Sequence, residues 1–417
     1  MNNLSLVGSN SYSVRRHNLR AVLLTFLHRG LISRVQLAEE TNLSNTTITN
    51  LIAELIDQGI IVEKEKTADP LDKQPRRGVG RPRRMLELVP DARYVVGVHI
   101  GIGMFRVAVT NLNAEIIYNK MTTFPIDQSS YDVLDAIANA ISDSINHANI
   151  TPGLILGVGI GASGLVNHET GVNLHAASLG WHKIPIQEIL EQKLPYSVSV
   201  DNNVRAMALG EAYFGLGRGA DVSVFIYGRI GVGSGIVVKG QAFRGSGAGA
   251  GEIGHTIVQP HNGDLCRCGQ YGCLETLVSE PVLLREAQRL AEQQPDGTLA
   301  EHLNRTEGSP IDDVFDAARA GDKPSFEMIE RQMHYLGIAL ANLVNVLNPE
   351  LIILGGMFAQ GSDLIVPKVE PMVHELAFGG LGEKVKLQTT SFGWRAGVIG
   401  AAAIALTTFF YQPAEPI

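Results

Sequence analysis

The three cysteines of this 417-residue sequence all fall within eight residues, Cys266-Arg-Cys268-Gly-Gln-Tyr-Gly-Cys273, with His255 upstream and Glu275 just beyond. One imidazole and three thiolates are donors that suit a closed tetrahedral zinc site. Any disulfide scheme leaves one of three thiols unpaired, and Cys266 and Cys268 stand too close in sequence to bridge without strain. Gly269 and Gly272 can take positive φ at no steric cost, which lets the backbone turn round an ion. His255, Cys266, Cys268 and Cys273 are therefore the expected ligands of a structural zinc ion. A buried thiol cluster is the competing reading.

The elements that must position this cluster belong to a chain of more than one domain. With 45% hydrophobic and 18% charged residues, the composition supplies sizeable cores, and the length predicts two or three domains. The first residues, Met-Asn-Asn-Leu-Ser-Leu-Val-Gly, have neither the basic nor the apolar region of a secretory signal, so a reducing, cytoplasmic setting is expected. Residues 396 to 410 are apolar but too short and too rich in Gly, Ala and Thr for a bilayer span. They read as a buried terminal helix, and no membrane partner is expected. Charge is uneven: residues 1 to 90 carry 13 Lys and Arg against 9 Asp and Glu, and the remainder 21 against 33. A basic head on an acidic body suggests a nucleic-acid-binding domain joined to one of another kind.

In the head, Leu19, Val22, Leu23, Phe26 and Leu27 recur at helical spacing before Gly30. Ser33 and Gln36 form a capping-box pattern for a short second helix ending near Asn42. Ser44 can cap a third, in which Ile48, Leu51, Ile52, Leu55 and Ile56 form the inward face. Its other face begins with short polar side chains suited to a recognition helix in the major groove. Strands over residues 60 to 64 and 85 to 88 complete a winged helix-turn-helix. Between them, residues 73 to 84 hold six basic side chains and no acidic one. Such a run is commonly a solvated linker. Here Gly-Arg81-Pro is suited to an A·T-rich minor groove. The expected DNA-contacting residues are Arg34, Ser44, Asn45, Thr46, Thr47, Thr49, Asn50, Arg81 and Arg83, and the expected partner is double-stranded operator DNA.

Beyond Pro90 the pattern becomes α/β. Strands are expected over residues 94 to 99, 105 to 110, 115 to 119 and 154 to 161, with a helix over 131 to 147. A second, similar strand series starts at Val222 and continues through 235 to 238. Two such halves suggest a duplicated sheet fold with a ligand cleft between lobes.

Several strings together resemble one family. Leu179-Gly-Trp181, Val200-Asp-Asn-Asn-Val-Arg-Ala206, Gly251-Glu-Ile-Gly-His255, Gly-Cys273-Leu-Glu275, the stretch Asn348 to Gly356 and Gly397-Val-Ile-Gly-Ala401 are similar to the ROK family of repressors and sugar kinases. The likeness spans nearly the whole chain, including the winged helix of the family's regulators. It implies an actin-like ATPase (ribonuclease H-like) body, zinc near the interlobe cleft, and a homodimer or homotetramer. It also implies that a sugar or sugar phosphate effector is held by Asn202, Glu252, His255 and Glu275. Carboxylates accept hydrogen bonds from vicinal hydroxyls, and a zinc-bound imidazole offers its other nitrogen in a fixed tautomer.

Where the family's kinases carry a catalytic Asp, this chain has Asn203, which has no carboxylate to accept a proton. Where they have Asp-x-Gly-Gly-Thr for phosphate, it reads His99-Ile-Gly101-Ile-Gly103. The second phosphate segment lacks the Thr before Gly231. No catalytic residue and no ATP are therefore expected. The expected organisation is a winged helix-turn-helix over 1–88, a first α/β lobe over 89–203 completed by a terminal helix at 394–417, and a second lobe over 204–393 carrying the zinc loop.

Overall fold

The head folds as its caps direct. A computed structural model describes residues 11–65, 84–305 and 308–411; Arg81, Arg83 and most of the basic run between the wing strands lie outside the described residues. Helix α1 (Ser11–Arg29) ends at Gly30, whose φ of 67° suits glycine. Ile32–Ser33 then makes a two-residue strand, β1. In α2 (Arg34–Thr41) the capping box is complete: Gln36 N–H donates to Ser33 Oγ at 3.3 Å and Ser33 N–H to Gln36 Oε1 at 3.1 Å. Ser44 Oγ accepts the Thr47 N–H at 3.1 Å and opens α3 (Asn45–Asp57), which buries Ile48, Leu51, Ile52 and Leu55. Strands β2 (Ile61–Glu65) and β3 (Arg84–Leu88) pair antiparallel, and β1 adds to the other edge of β3. Two residues are too short to leave an alternating pattern, which is why β1 escapes a reading of the sequence.

The body contains two sheets of one design. In the first, β4 (Tyr94–Ile100), β5 (Met104–Asn111) and β6 (Ile116–Thr123) form an antiparallel meander. Helix α4 (Ser130–His147) then leads to β7 (Ile155–Ala162). A small satellite sheet follows, β8 (Leu165–Asn167), β9 (Val172–Ala176) and β10 (Trp181–Pro185), and then α5 (Ile186–Glu191) and β11 (Val198–Asn202). The order is β11-β7-β4-β5-β6, with β4, β7 and β11 parallel. Helix α6 (Asn203–Phe214) crosses to the second sheet, where β12 (Val222–Gly228), β13 (Val232–Val238) and β14 (Gln241–Ala242) repeat the meander. Short helix α7 (Glu275–Val278) follows the cysteine loop. A helical layer comes next, α8 (Glu280–Gln293), α9 (Thr298–Leu303), α10 (Pro310–Arg319) and α11 (Lys323–Leu347). The chain then returns through β15 (Leu351–Gly356), α12 (Met357–Gln360), α13 (Ser362–Leu376), α14 (Leu381–Lys384) and β16 (Lys386–Thr389). The resulting order, β14-β13-β12-β15-β16 with β12, β15 and β16 parallel, matches that of the first sheet.

The last helix, α15 (Ala396–Leu406), is buried along its whole length and packs on α6, β4 and β7. Its apolar composition thus serves the core. Close approach demands glycine: a Cβ on Gly159 would lie 2.0 Å from the Ala401 carbonyl oxygen, and one on Gly400 2.5 Å from the Ala206 carbonyl carbon. The apolar core runs unbroken from Val22, Leu23 and Phe26 of α1 through Phe410 and Tyr411 to Met207 and Tyr213 of α6. A polar tie accompanies it, since Arg218 Nη2 donates to the Leu27 carbonyl at 2.5 Å, near the end of α1.

Because backbone rather than a flexible side chain opposes it, Gly159→Ala is expected to cost about 2 kcal/mol of stability. Denaturant unfolding should show a lower midpoint at unchanged slope; an unchanged midpoint would contradict this packing.

Candidate metal centre, cleft and nucleic-acid interface

The cysteine loop closes on itself through two isolated bridges, Ile257 with Cys273 and Leu265 with Tyr271. Cys266 N–H donates to the Gln270 carbonyl at 2.7 Å and Gly269 N–H returns to the Cys266 carbonyl at 2.9 Å. Gly269 and Gly272 take φ of 88° and 72°, the positive values their type allows. At Gly272 a Cβ would stand 1.9 Å from the Gln259 carbonyl oxygen, so the loop also needs glycine for space.

These turns bring one donor atom each from His255, Cys266, Cys268 and Cys273 within 4.8 Å of one another. Cys266 Sγ lies 3.6 Å from His255 Nδ1, and Cys268 Sγ 3.6 Å from Cys273 Sγ. A tetrahedron with metal–sulfur bonds of about 2.3 Å has edges of about 3.8 Å, so the donor set fits a thiolate-binding ion in size and in type. All three thiols are free of disulfides. Burial pushes the Cys273 thiol up to about 12 and raises Cys266 as well, while the Gln270 backbone hydrogen bond lowers Cys268. A bound cation would offset the cost of crowding three thiolates here.

Of the other expected pocket residues, Glu252 and Glu275 stand close to the cluster's ligands in the chain. Glu275 opens α7; its Oε2 accepts the Val232 N–H at 3.0 Å and its Oε1 accepts Arg267 Nη2 at 2.8 Å. Glu252 precedes the turn Ile253–His255 and makes no capping bond there. Its carboxyl is raised, chiefly by burial and further by Glu275, against the opposing pull of His255 and Arg205. Asn202 is the N-cap of α6: Oδ1 accepts from Val204 and Arg205 N–H at 2.9 and 3.1 Å, and Nδ2 donates to the Gly164 carbonyl at 2.8 Å. One Nδ2 hydrogen is left for a ligand. Asn203 Nδ2 donates to Ser163 Oγ at 3.2 Å.

Two arginines that the sequence reading left without a role organise the cleft. Arg205 is fully buried and donates to Asp201 at 2.8 Å, the Ala248 carbonyl at 2.7 Å and the Val166 carbonyl at 3.1 Å. Arg244 holds the other Asp201 oxygen at 2.8 Å. The signal for the first pair was an Asp and an Arg four residues apart across a helix start. Arg267 sits between two of the cysteines and has no such local partner. Near the end of β4, His99 Nδ1 is buried without a hydrogen-bond partner. Burial, with Arg106 and Arg229, pulls that imidazole down to about 4.

On the head, Asn45, Thr46, Thr49 and Asn50 of α3 are all exposed on the face opposite its buried residues. The Ser44 and Thr47 hydroxyls are 2.9 Å apart at the cap. Arg34 pairs with Glu63 of β2 at 2.7 Å, and Arg84 holds the other oxygen of Glu63 at 2.6 Å.

Comparison with known proteins agrees with both halves. The profile of the ROK family matches residues 95–408, and a winged helix-turn-helix DNA-binding profile matches residues 15–62. The xylose repressor of Caldicellulosiruptor bescii is 31% identical over 401 residues, 96% of this chain and 98% of that one. A glucokinase of Halalkalibacterium halodurans is 32% identical but covers only 74% of this chain, with 93% of its own length matched. Among solved structures, a ROK family transcriptional regulator homologous to the Escherichia coli MLC protein superimposes with a TM-score of 0.80 at 27% identity, covering 95% of this chain and 97% of that one.

Elemental analysis of the purified protein is expected to find one metal ion per chain, and Cys268→Ser to release it with a lower thermal midpoint. A metal-free wild type whose midpoint ignores chelator would contradict the fit of the donor set.

Proposed function

This chain belongs to the ROK family, and from that premise we propose that it is a sugar-responsive transcriptional repressor whose kinase-like body serves as the sensor. The observation that carries the reading is a retained polar pocket beside a changed base position. Glu252, Glu275 and His255 are sugar-binding groups grouped at the metal cluster, whereas Asn203 offers an amide that is already donating to Ser163. Loss of a general base alone costs roughly 10²- to 10⁴-fold in rate. The neutral His99 further removes the acidic group that would manage metal-bound phosphate, so neither phosphoryl transfer nor ATP belongs to this reading. The extent of the matches supports it too: the repressor relative spans 96% of this chain, the kinase relative 74%.

The ion is zinc in a structural role, since four protein donors leave no open position for water. It braces the loop that carries His255 toward the pocket. Operator DNA is read by α3, with Asn45, Thr46, Thr49 and Asn50 toward the major groove and the wing residues Arg81 and Arg83 at the minor groove. The chain acts in the cytoplasm as a homodimer or homotetramer, because a two-fold pair of recognition helices reads two half-sites at a spacing set by the body. A sugar or sugar phosphate that binds one interlobe arrangement better than another changes that spacing. Helix α6 spans the distance. Its N-cap is Asn202, and the turn after its C-terminus carries Arg218, bonded to the end of α1.

Calorimetric titration with aldoses and their phosphates, D-xylose and D-glucose first, is expected to find a ligand. Glu252→Gln should weaken it at least about tenfold, the worth of one hydrogen bond to a charged group, with no change in metal content. No sugar-dependent ATP consumption should accompany binding. A protein that bound no member of the panel, or that turned over ATP with sugar, would sink the reading.

A further inference from the structure

Arg267 is the one residue between Cys266 and Cys268, so metal ligands on both sides fix its backbone. Its guanidinium spans the cleft. Nη2 donates to Glu275 Oε1 at 2.8 Å and Nη1 to Ser178 Oγ at 2.6 Å, with the Ile230 carbonyl 3.4 Å from Nη2. The two acceptors are anchored in different cores. Leu179 and Trp181, next to Ser178, pack with Val96, Val98 and Leu134 around the first sheet. Leu274 and Val278, on either side of Glu275, pack with Val224 and Ile226 around the second. Ser178 also lines an open pocket of about 530 Å³ with Ser129, Ser130 and Trp181, between the start of α4 and the 177–181 segment.

We propose that Arg267 is a positioning residue for the sugar pocket, a latch that holds Glu275 toward the cleft and ties the metal loop to Ser178 of the opposite lobe. The inference rests on the sugar reading of Glu275 but adds a residue which that reading does not use. A planar guanidinium suits the task, because one fork can hold a carboxylate and a hydroxyl at once in fixed geometry. Two of the roughly four lone-pair positions on Glu275 are then taken, by Arg267 and by Val232 N–H, and the others remain for sugar hydroxyls. The bonds through Asp201 and Arg205 are buried, whereas the Arg267 side chain is 49% exposed. Among the described residues, Arg267 is thus more open to solvent than Arg205 or Arg244, whose side chain is 29% exposed. A latch that favours the closed arrangement before ligand arrives raises the apparent affinity of any sugar that binds that arrangement.

The test begins without sugar. In the ligand-free, metal-loaded full chain, Arg267→Ala is expected to speed amide hydrogen exchange over residues 177–181 by about tenfold, the worth of one charge-assisted hydrogen bond. Ser178→Ala should do the same, and the double variant no more than either alone. Arg267→Lys keeps the charge but loses the fork, so it should not restore protection. Metal content equal to wild type shows that the loop is still folded in each variant. Unchanged exchange in Arg267→Ala, additive effects in the double variant, or full protection by lysine would each overturn the latch. With a sugar that binds the wild type, Arg267→Ala should weaken affinity about tenfold, and undiminished affinity would also overturn it. A panel that yields no sugar would remove the sugar reading, while the exchange measurements would still decide whether the bridge exists.

Discussion

Everything at the cleft depends on one buried guanidinium. Arg205 stands at the start of α6, and each of its three nitrogens has an acceptor: the Asp201 carboxylate, the Ala248 carbonyl and the Val166 carbonyl. Taking such a pair out of water costs several kcal/mol per ion unless nearly every donor and lone pair is satisfied. That requirement is what gives the arrangement its uniqueness. Asp201 can be satisfied only while Arg244 and the Asn202 N–H also reach it, and Arg205 only while the segment through Ala248 lies against the first lobe. The same segment leads into Glu252 and His255. The position of the pocket carboxylate is therefore set by backbone carbonyls that a buried cation must find, more than by the carboxylate's own contacts.

Helix α6 makes this local network a long-range one. It is buried along almost its whole length between the second sheet and α15, where glycines let backbones meet directly. A close-packed rod of this kind does not bend to absorb a shift at one end. It leads from Asn202 and Arg205 to the turn after Phe214, where Arg218 donates to the Leu27 carbonyl near the end of α1. Burial, with the charges of Arg218 and Arg29, lowers the pKa of His28 at that junction. The continuous apolar core between α1, Tyr411 and α6 gives the junction its stiffness.

Much of this was legible in the sequence, and the residues explain why. Caps and helical spacing announced α2 and α3 because Ser33, Gln36 and Ser44 act on neighbours in the chain. The grouping of His255 with the three cysteines was legible because donor type and glycine placement are local as well. The duplicated strands were visible as apolar runs, although the identity of the two sheets emerges only from strand order. Arg205 and Arg267 stayed hidden as organisers because most of their acceptors lie far away in the chain, and a backbone carbonyl or a lone serine leaves no signature. The helices between Glu280 and Leu376 pack around the second core.

The link between pocket and head is tested most directly by operator affinity at fixed salt, with and without a saturating sugar, for the wild type and for Arg218→Ala. A clear shift is expected in the wild type and a much smaller one in the variant, which still binds both sugar and DNA. A wild-type affinity that ignores the bound sugar, or an Arg218→Ala protein that responds in full, would contradict that link.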